Sequence, residues 1–296
     1  MTHVPDEHDS ADATRQPDEA SVVPFTRRRP RRSEWDQSDF DEPAWSTWPE
    51  AAHGPTPFPD WLVTSANAVD AELGVLKSGK EADVHLLARG LPDEPELLLA
   101  VKRYRSSEKR MFHRDASYVE GRRDRRSREN RAMLTRTEFG RDLLAGRWAQ
   151  AEFDALSTLW SLGAPVPYPV QLAGRELMME FHGTPDGVAA PRLSQSRPSR
   201  REAADLFDQL RDALTLLAQE GFAHGDLSAY NLLVDDGRLV MIDLPQIVDI
   251  ATNPRGPEFL QRDCANICAW FQSHGYPAAD SDELFGDLMA ESVANW

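Results

Sequence analysis

His224-Gly225-Asp226-Leu227-Ser228-Ala229-Tyr230-Asn231, followed by Met241-Ile242-Asp243, decides the reading of this 296-residue chain. It sets two acids and an amide at a spacing that suits phosphoryl transfer. One carboxylate can orient an attacking hydroxyl, and oxygen ligands can hold magnesium against nucleotide phosphates. Asp226, Asn231 and Asp243 can fill those roles. Asn231 to Val234 reads as a strand, Asp235-Asp236-Gly237 as a turn and Arg238 to Ile242 as the returning strand, so a hairpin brings Asp243 back beside Asn231. Taken alone, an aspartate and an asparagine near a glycine turn are commonly turn and capping residues. The rest of the chain favours the chemical reading.

Upstream, Leu99-Ala100-Val101-Lys102 is an apolar run ending in lysine, the pattern of a buried strand that delivers one ammonium group to a nucleotide. A lone lysine at a strand end more often snorkels to water, but a partner acid is at hand. From Trp148 to Trp160, the apolar residues Ala149, Phe153, Leu156 and Trp160 follow a helical repeat, with Glu152 beside the stripe and placed to reach Lys102 across a cleft. Before the lysine strand, Leu76-Lys77-Ser78-Gly79-Lys80-Glu81-Ala82-Asp83-Val84-His85 reads as strand, small polar turn, strand. Such a turn can lay backbone N–H groups and Lys80 over phosphates, although neither a GxGxxG nor a complete Walker pattern is present.

Taken together and in order, Ser78-Gly79-Lys80-Glu81-Ala82, Leu99-Ala100-Val101-Lys102, His224 to Ser228, Asn231, Ile242-Asp243-Leu244-Pro245-Gln246, Glu258-Phe259-Leu260 and Arg262-Asp263-Cys264-Ala265-Asn266 resemble the RIO family of atypical serine/threonine protein kinases. The resemblance covers roughly residues 70 to 275. It implies an α+β, two-lobed, protein-kinase-like fold of the trimmed RIO type, using ATP and Mg²⁺. By carry-over, Ser78 and Lys80 contact phosphates, Lys102 pairs with Glu152, and Met179-Glu180-Phe181 form the hinge that meets adenine. Asp226 is then the catalytic acid/base, and Asn231 and Asp243 hold the metal. In some members the metal-site aspartate is itself phosphorylated, which would make Asp243 a nucleophile as well. His224 and Asp263 match positions that brace the catalytic loop.

The stretch from Asp243 to Glu258 is too short for an activation segment plus a peptide-docking platform, in keeping with the RIO pattern. Three readings use the same site. In the leading one the enzyme phosphorylates serine or threonine, including its own; in the second it is an ATPase switch in ribosome or RNA–protein assembly that works through an aspartyl-phosphate. A small-molecule phosphotransferase resembling aminoglycoside kinases is the third, and the Ser78–Ala82 and Arg262–Asn266 motifs weigh against it.

Domain organisation follows from composition. Residues 1–60, rich in Asp, Glu, Pro and Ser and carrying Arg27-Arg28-Arg29-Pro30-Arg31-Arg32, read as a disordered tail whose Trp35, Trp45 and Trp48 are candidate docking anchors. Residues 61–178 form the N-lobe, 179–275 the hinge and C-lobe, and 276–296 a helical extension. The formal net charge of −16 argues against general DNA binding by the whole protein. The arginine-rich insertion 106–140 runs the other way: from Arg103 to Arg147 there are 14 lysines and arginines against 7 acids, a local excess suited to rRNA or another polyanion. No signal sequence or apolar run long enough to span a bilayer is visible, so a cytoplasmic protein without a membrane partner is expected. Cys264 and Cys268, the two cysteines, lie one helical turn apart and read as reduced packing residues. The stripe Leu206, Leu210, Leu214 and Leu217 reads as a core helix ending at Gly221.

Overall fold

The computed structural model describes residues 44–92, 94–105, 138–244 and 247–294. The basic insertion and Trp35 lie outside these residues. Seven strands form one sheet: β1 (Ala44–Trp45), β2 (Ala52–His53), β3 (Val69–Ser78), β4 (Ala82–Gly90), β5 (Leu97–Tyr104), β6 (Pro169–Ala173) and β7 (Glu176–Glu180). Their order is β1-β3-β4-β5-β7-β6-β2, with every pairing antiparallel. A long helix, α1 (Glu138–Ser161), packs against the sheet. It starts ten residues before the stripe that predicts it, and its buried face reaches back by one turn to Ala145, which is 1% exposed.

Residues 44–60 depart from the expected disordered tail. The two short strands they contribute close both edges of the sheet, and the segment between and after them crosses its outer face. Trp48 is buried there with Tyr168, Val170, Leu99 and Met178, stacks on His53 at 3.9 Å between ring centroids, and meets Phe58 edge-on. Gln171 donates to Thr47 at 2.7 Å and accepts from the buried Arg89, whose guanidinium also forms a two-pronged pair with Asp70. Composition alone suggested disorder because polar residues dilute these few apolar anchors, but burial of one large aromatic is enough to hold so short a segment. Trp45, in contrast, is 70% exposed.

The second lobe consists of α2 (Arg200–Gln219), β8 (Phe222–Ala223), β9 (Leu232–Asp235), β10 (Arg238–Met241), β11 (Val248–Asp249), α3 (Gly256–Ser273) and α4 (Ser281–Ala294). Ser199 caps α2, accepting from Glu202 N while Glu202 answers the Ser199 N–H at 2.7 Å. The Leu206, Leu210, Leu214 and Leu217 stripe is buried, as are Cys264 and Cys268 on α3, whose thiols burial raises to about 12 and about 11. The extension helix α4 packs on α2 and α3 through Leu284 and Leu288, so it is part of the lobe rather than an appendage. Among the described residues no helix is long and apolar enough to cross a membrane. The result is an α+β, two-lobed, kinase-like fold with a cleft between sheet and helices.

Candidate active site

The roof of the cleft is the inner face of β3, β4 and β5. Lys77 is in register with Val84, and Val84 with Lys102, so the two lysines stand in one row across three strands. Alternation along β3 breaks twice, between Glu72 and Gly74 and between Val75 and Lys77. Each bulge reverses which residues face inward. Ser78 therefore falls opposite Asp83, whose carboxylate Arg105 holds at 2.7 Å. The turn beyond is tight: Gly79 N donates to Ala82 O at 3.0 Å, and a Cβ on Gly79 would lie 2.8 Å from that oxygen. Lys80 sits exposed at its tip.

Lys102 and Glu152 meet, as the spacing of strand and helix predicts. Nζ lies 2.8 Å from both oxygens of Glu152 and 2.7 Å from Asp243 Oδ1. Glu152, 1% exposed, is also the acceptor for the Tyr104 hydroxyl and for Leu244 N at 3.3 Å. Burial opposes the Lys102 charge, but Asp243 and Glu152 outweigh it and hold the ammonium well above its ordinary value. The Lys102 charge in turn holds Asp243 down to about 2 against burial. Tyr104 is pushed well above its ordinary value by burial and by Glu152, which keeps it a donor.

The floor is built on α3 and the β9–β10 hairpin. Asp236 and Gly237 both take positive φ, 47° and 76°, giving the two-residue turn that right-twisted strands require. Ile242 N then donates to Asn231 O at 2.9 Å, bringing the next residue, Asp243, beside Asn231. Asp243 itself adopts φ 65°, an uncommon conformation that lets the chain turn sharply at the strand end. Its side chain remains 43% exposed.

Asp226 is presented differently. The buried Asp263 carboxylate accepts Gly225 N at 2.7 Å and Leu227 N at 2.9 Å, gripping the backbone on either side of Asp226. Arg262 adds a bond to Gly225 O. Burial raises the Asp263 carboxyl above its ordinary value. The Asp226 side chain is exposed, and among the described residues nothing is hydrogen-bonded to its carboxylate. Asn231 Nδ2 donates to Asp226 O at 2.8 Å, which turns the amide oxygen outward. His224 is 1% exposed, and neither ring nitrogen has a hydrogen-bond partner among the described residues. Asp263 thus braces the loop through hydrogen bonds, whereas His224 makes none among the described residues.

Met179 and Glu180 end β7, Met179 paired with Ala100 and Glu180 with Leu99, and Phe181 leads the chain out of the sheet. Beyond this connection the turn at Gly187 comes so close to Leu86 that a Cβ there would lie 2.9 Å from its side chain. Sequence reasoning missed Tyr104, Lys77 and Arg192. Tyr104 was open to view, two residues after Lys102 on the same strand face. The other two depend on a bulge and on a bridge between Arg192 and Leu233, neither of which has a sequence signature.

The profile of the RIO domain family matches residues 92–284. The RIO-type serine/threonine-protein kinase Rio1 of Haloferax volcanii is 33% identical over 217 residues, 73% of this chain and 68% of that protein. Serine/threonine-protein kinase RIO3 of Mus musculus is 31% identical over 79% of this chain, and human RIO1 is 30% identical over 75%. The chain spans 45% and 37% of the length of those two relatives. Among solved structures, the Rio2 kinase of Chaetomium thermophilum aligns with a TM-score of 0.49 and 21% identity, covering 74% of this chain and 70% of that one. The family profile and the archaeal relative together show that this chain belongs to the RIO family.

Proposed function

We propose that the protein is an ATP-dependent serine/threonine protein kinase that also phosphorylates itself. The observation that carries this reading is the convergence of Lys102 with Glu152 at 2.8 Å and Asp243 at 2.7 Å, opposite the loop that presents Asp226. Such an arrangement fixes a cation where nucleotide phosphates would lie and leaves one carboxylate free for proton transfer.

Asn231 and Asp243 fit Mg²⁺: both offer hard oxygen donors, and one carboxylate plus an amide oxygen leaves positions for phosphate oxygens and water. When bound, Mg²⁺ would neutralise charge on the transferring phosphates. The turn that carries Ser78 and Lys80, through its backbone N–H groups, would position the phosphates together with Lys102, while Met179, Glu180 and Phe181 would border the adenine. Asp226 would accept the proton of the attacking serine or threonine hydroxyl. The new oxygen–phosphorus bond forms as the bridge to the β-phosphate breaks, and ADP leaves. The arginine-rich insertion 106–140 adds a candidate contact for rRNA or another polyanion, on charge alone. Loss of RNA retention in filter binding when the insertion is removed is the expected result.

Incubation with Mg²⁺ and γ-labelled ATP tests the kinase reading. Acid-stable label that resists hydroxylamine and is recovered as phosphoserine or phosphothreonine supports it. Mostly free phosphate, with a base-labile adduct lost in Asp243→Asn, would favour an ATPase working through Asp243 instead.

A further inference from the structure

The positive charge of Lys102 is fully engaged, by both oxygens of Glu152 and one of Asp243. Two further cations face the same space, and among the described residues neither forms an ion pair. Lys77 comes from the roof. The second bulge in β3 sets it opposite Val84, in the row that ends at Lys102. Arg192 comes from the floor. It bridges Leu233, and Val234 N donates to Pro191 O at 2.9 Å, so the arginine is stitched to the strand that begins one residue after Asn231. The 3₁₀ turn that follows it, Leu193–Gln195, packs against the turn Ala229–Asn231 of the catalytic loop.

Both side chains are half-buried. Burial and then the charge of Arg192 lower the Lys77 ammonium below its ordinary value, and burial lowers Arg192; each also feels the Asp243 carboxylate. Two half-buried cations that approach from opposite walls are unfavourable until an anion enters between them. Asp243 is bonded to Lys102 through Oδ1 and, among the described residues, forms no ion pair with either of them. The gap calls for a group with about two negative charges and several acceptor oxygens, as on a phosphate ester. Arg192 immediately precedes the turn that packs against Ala229–Asn231, in the loop that carries Asp226, which places it at the end of the cleft where transfer would occur.

We propose that Lys77 and Arg192 form a two-sided clamp on the terminal phosphoryl group of a nucleoside triphosphate, separate from the Lys102 contact. This rests on the kinase reading above. It makes the pair a determinant of triphosphate over diphosphate binding.

The test is equilibrium titration of the full-length protein and its Lys77→Gln, Arg192→Gln and Arg192→Lys variants, with Mg²⁺ present. The ligands are ADP and the non-hydrolysable β,γ-imido analogue of ATP. Unchanged melting temperatures establish that each variant is folded. Each Gln variant is expected to weaken the triphosphate about tenfold and ADP by no more than about twofold, the loss set by one charged hydrogen bond. Arg192→Lys should recover part of the difference. If the wild type binds the triphosphate but both Gln variants bind the two ligands in unchanged ratio, the kinase reading stands and the clamp falls. If the wild type binds neither nucleotide, the kinase reading falls and the clamp with it.

Discussion

The roof and the floor of the cleft fix their functional groups in opposite ways. In the roof, Lys102 is held by direct bonds to its own charge, from the buried Glu152, which also accepts from Tyr104, and from the partly exposed Asp243 that reaches up from the floor. In the floor, Asp226 is exposed and unbonded, and its position is set through backbone bonds from Asp263 to the residues on either side. A group that holds ligand charge can have its own charge engaged in advance. A group that must take a proton needs its oxygens free. On the proposed kinase reading, that difference suits the roof to electrostatic binding and the floor to chemistry.

That contrast makes substitutions in the two regions fail differently. The largest effect is expected for Glu152→Gln, which strips a charge partner from a buried cation; kcat/KM for ATP should fall about 100-fold, or about 3 kcal/mol. Steady-state kinetics over a range of ATP concentrations should locate the loss mainly in KM. Asp263→Ala removes two bonds to buried N–H groups, and urea unfolding should show a loss of about 2–3 kcal/mol. Its kcat should fall while ATP affinity is largely kept, since Asp263 grips the backbone on either side of Asp226 and does not touch Lys102. Tyr104→Phe deletes one bond to Glu152 and should lower stability by about 1 kcal/mol, again by urea unfolding, with transfer nearly intact.

The smallest effect is one of pH. Asp243 is held below its ordinary value of 3.8, at about 2, so its pairing stabilises the fold fully above pH 3.8 and loses that contribution as pH falls through about 2. Acid unfolding followed by circular dichroism should therefore converge for the wild type and Asp243→Asn below about pH 2, and separate slightly above it.

The hairpin that returns Asp243 to Asn231 was legible because its turn, Asp235-Asp236-Gly237, demands positive φ and leaves few alternatives. The Lys102–Glu152 pair was legible from two periodicities, a strand ending in lysine and a helix whose apolar stripe passes beside Glu152. Lys77 was not, because the second bulge in β3 sets it, rather than Leu76, opposite Val84, and a bulge has no sequence signature. Arg192 lay beyond reach for another reason: it enters the site through a single bridge to Leu233, 41 positions later in the chain. The role of residues 44–60 was hidden by composition, where one buried tryptophan counts for little against many polar neighbours.

The most direct test of the division between roof and floor is Asp226→Asn, with the ATP dissociation constant and the rate of acid-stable labelling of serine and threonine measured on the same sample. Nucleotide affinity should stay within about twofold of wild type while labelling falls by at least about 100-fold, the range expected for loss of a general base. Labelling at the wild-type rate, or a loss of ATP affinity that accounts for the lost labelling, would contradict the assignment of chemistry to Asp226.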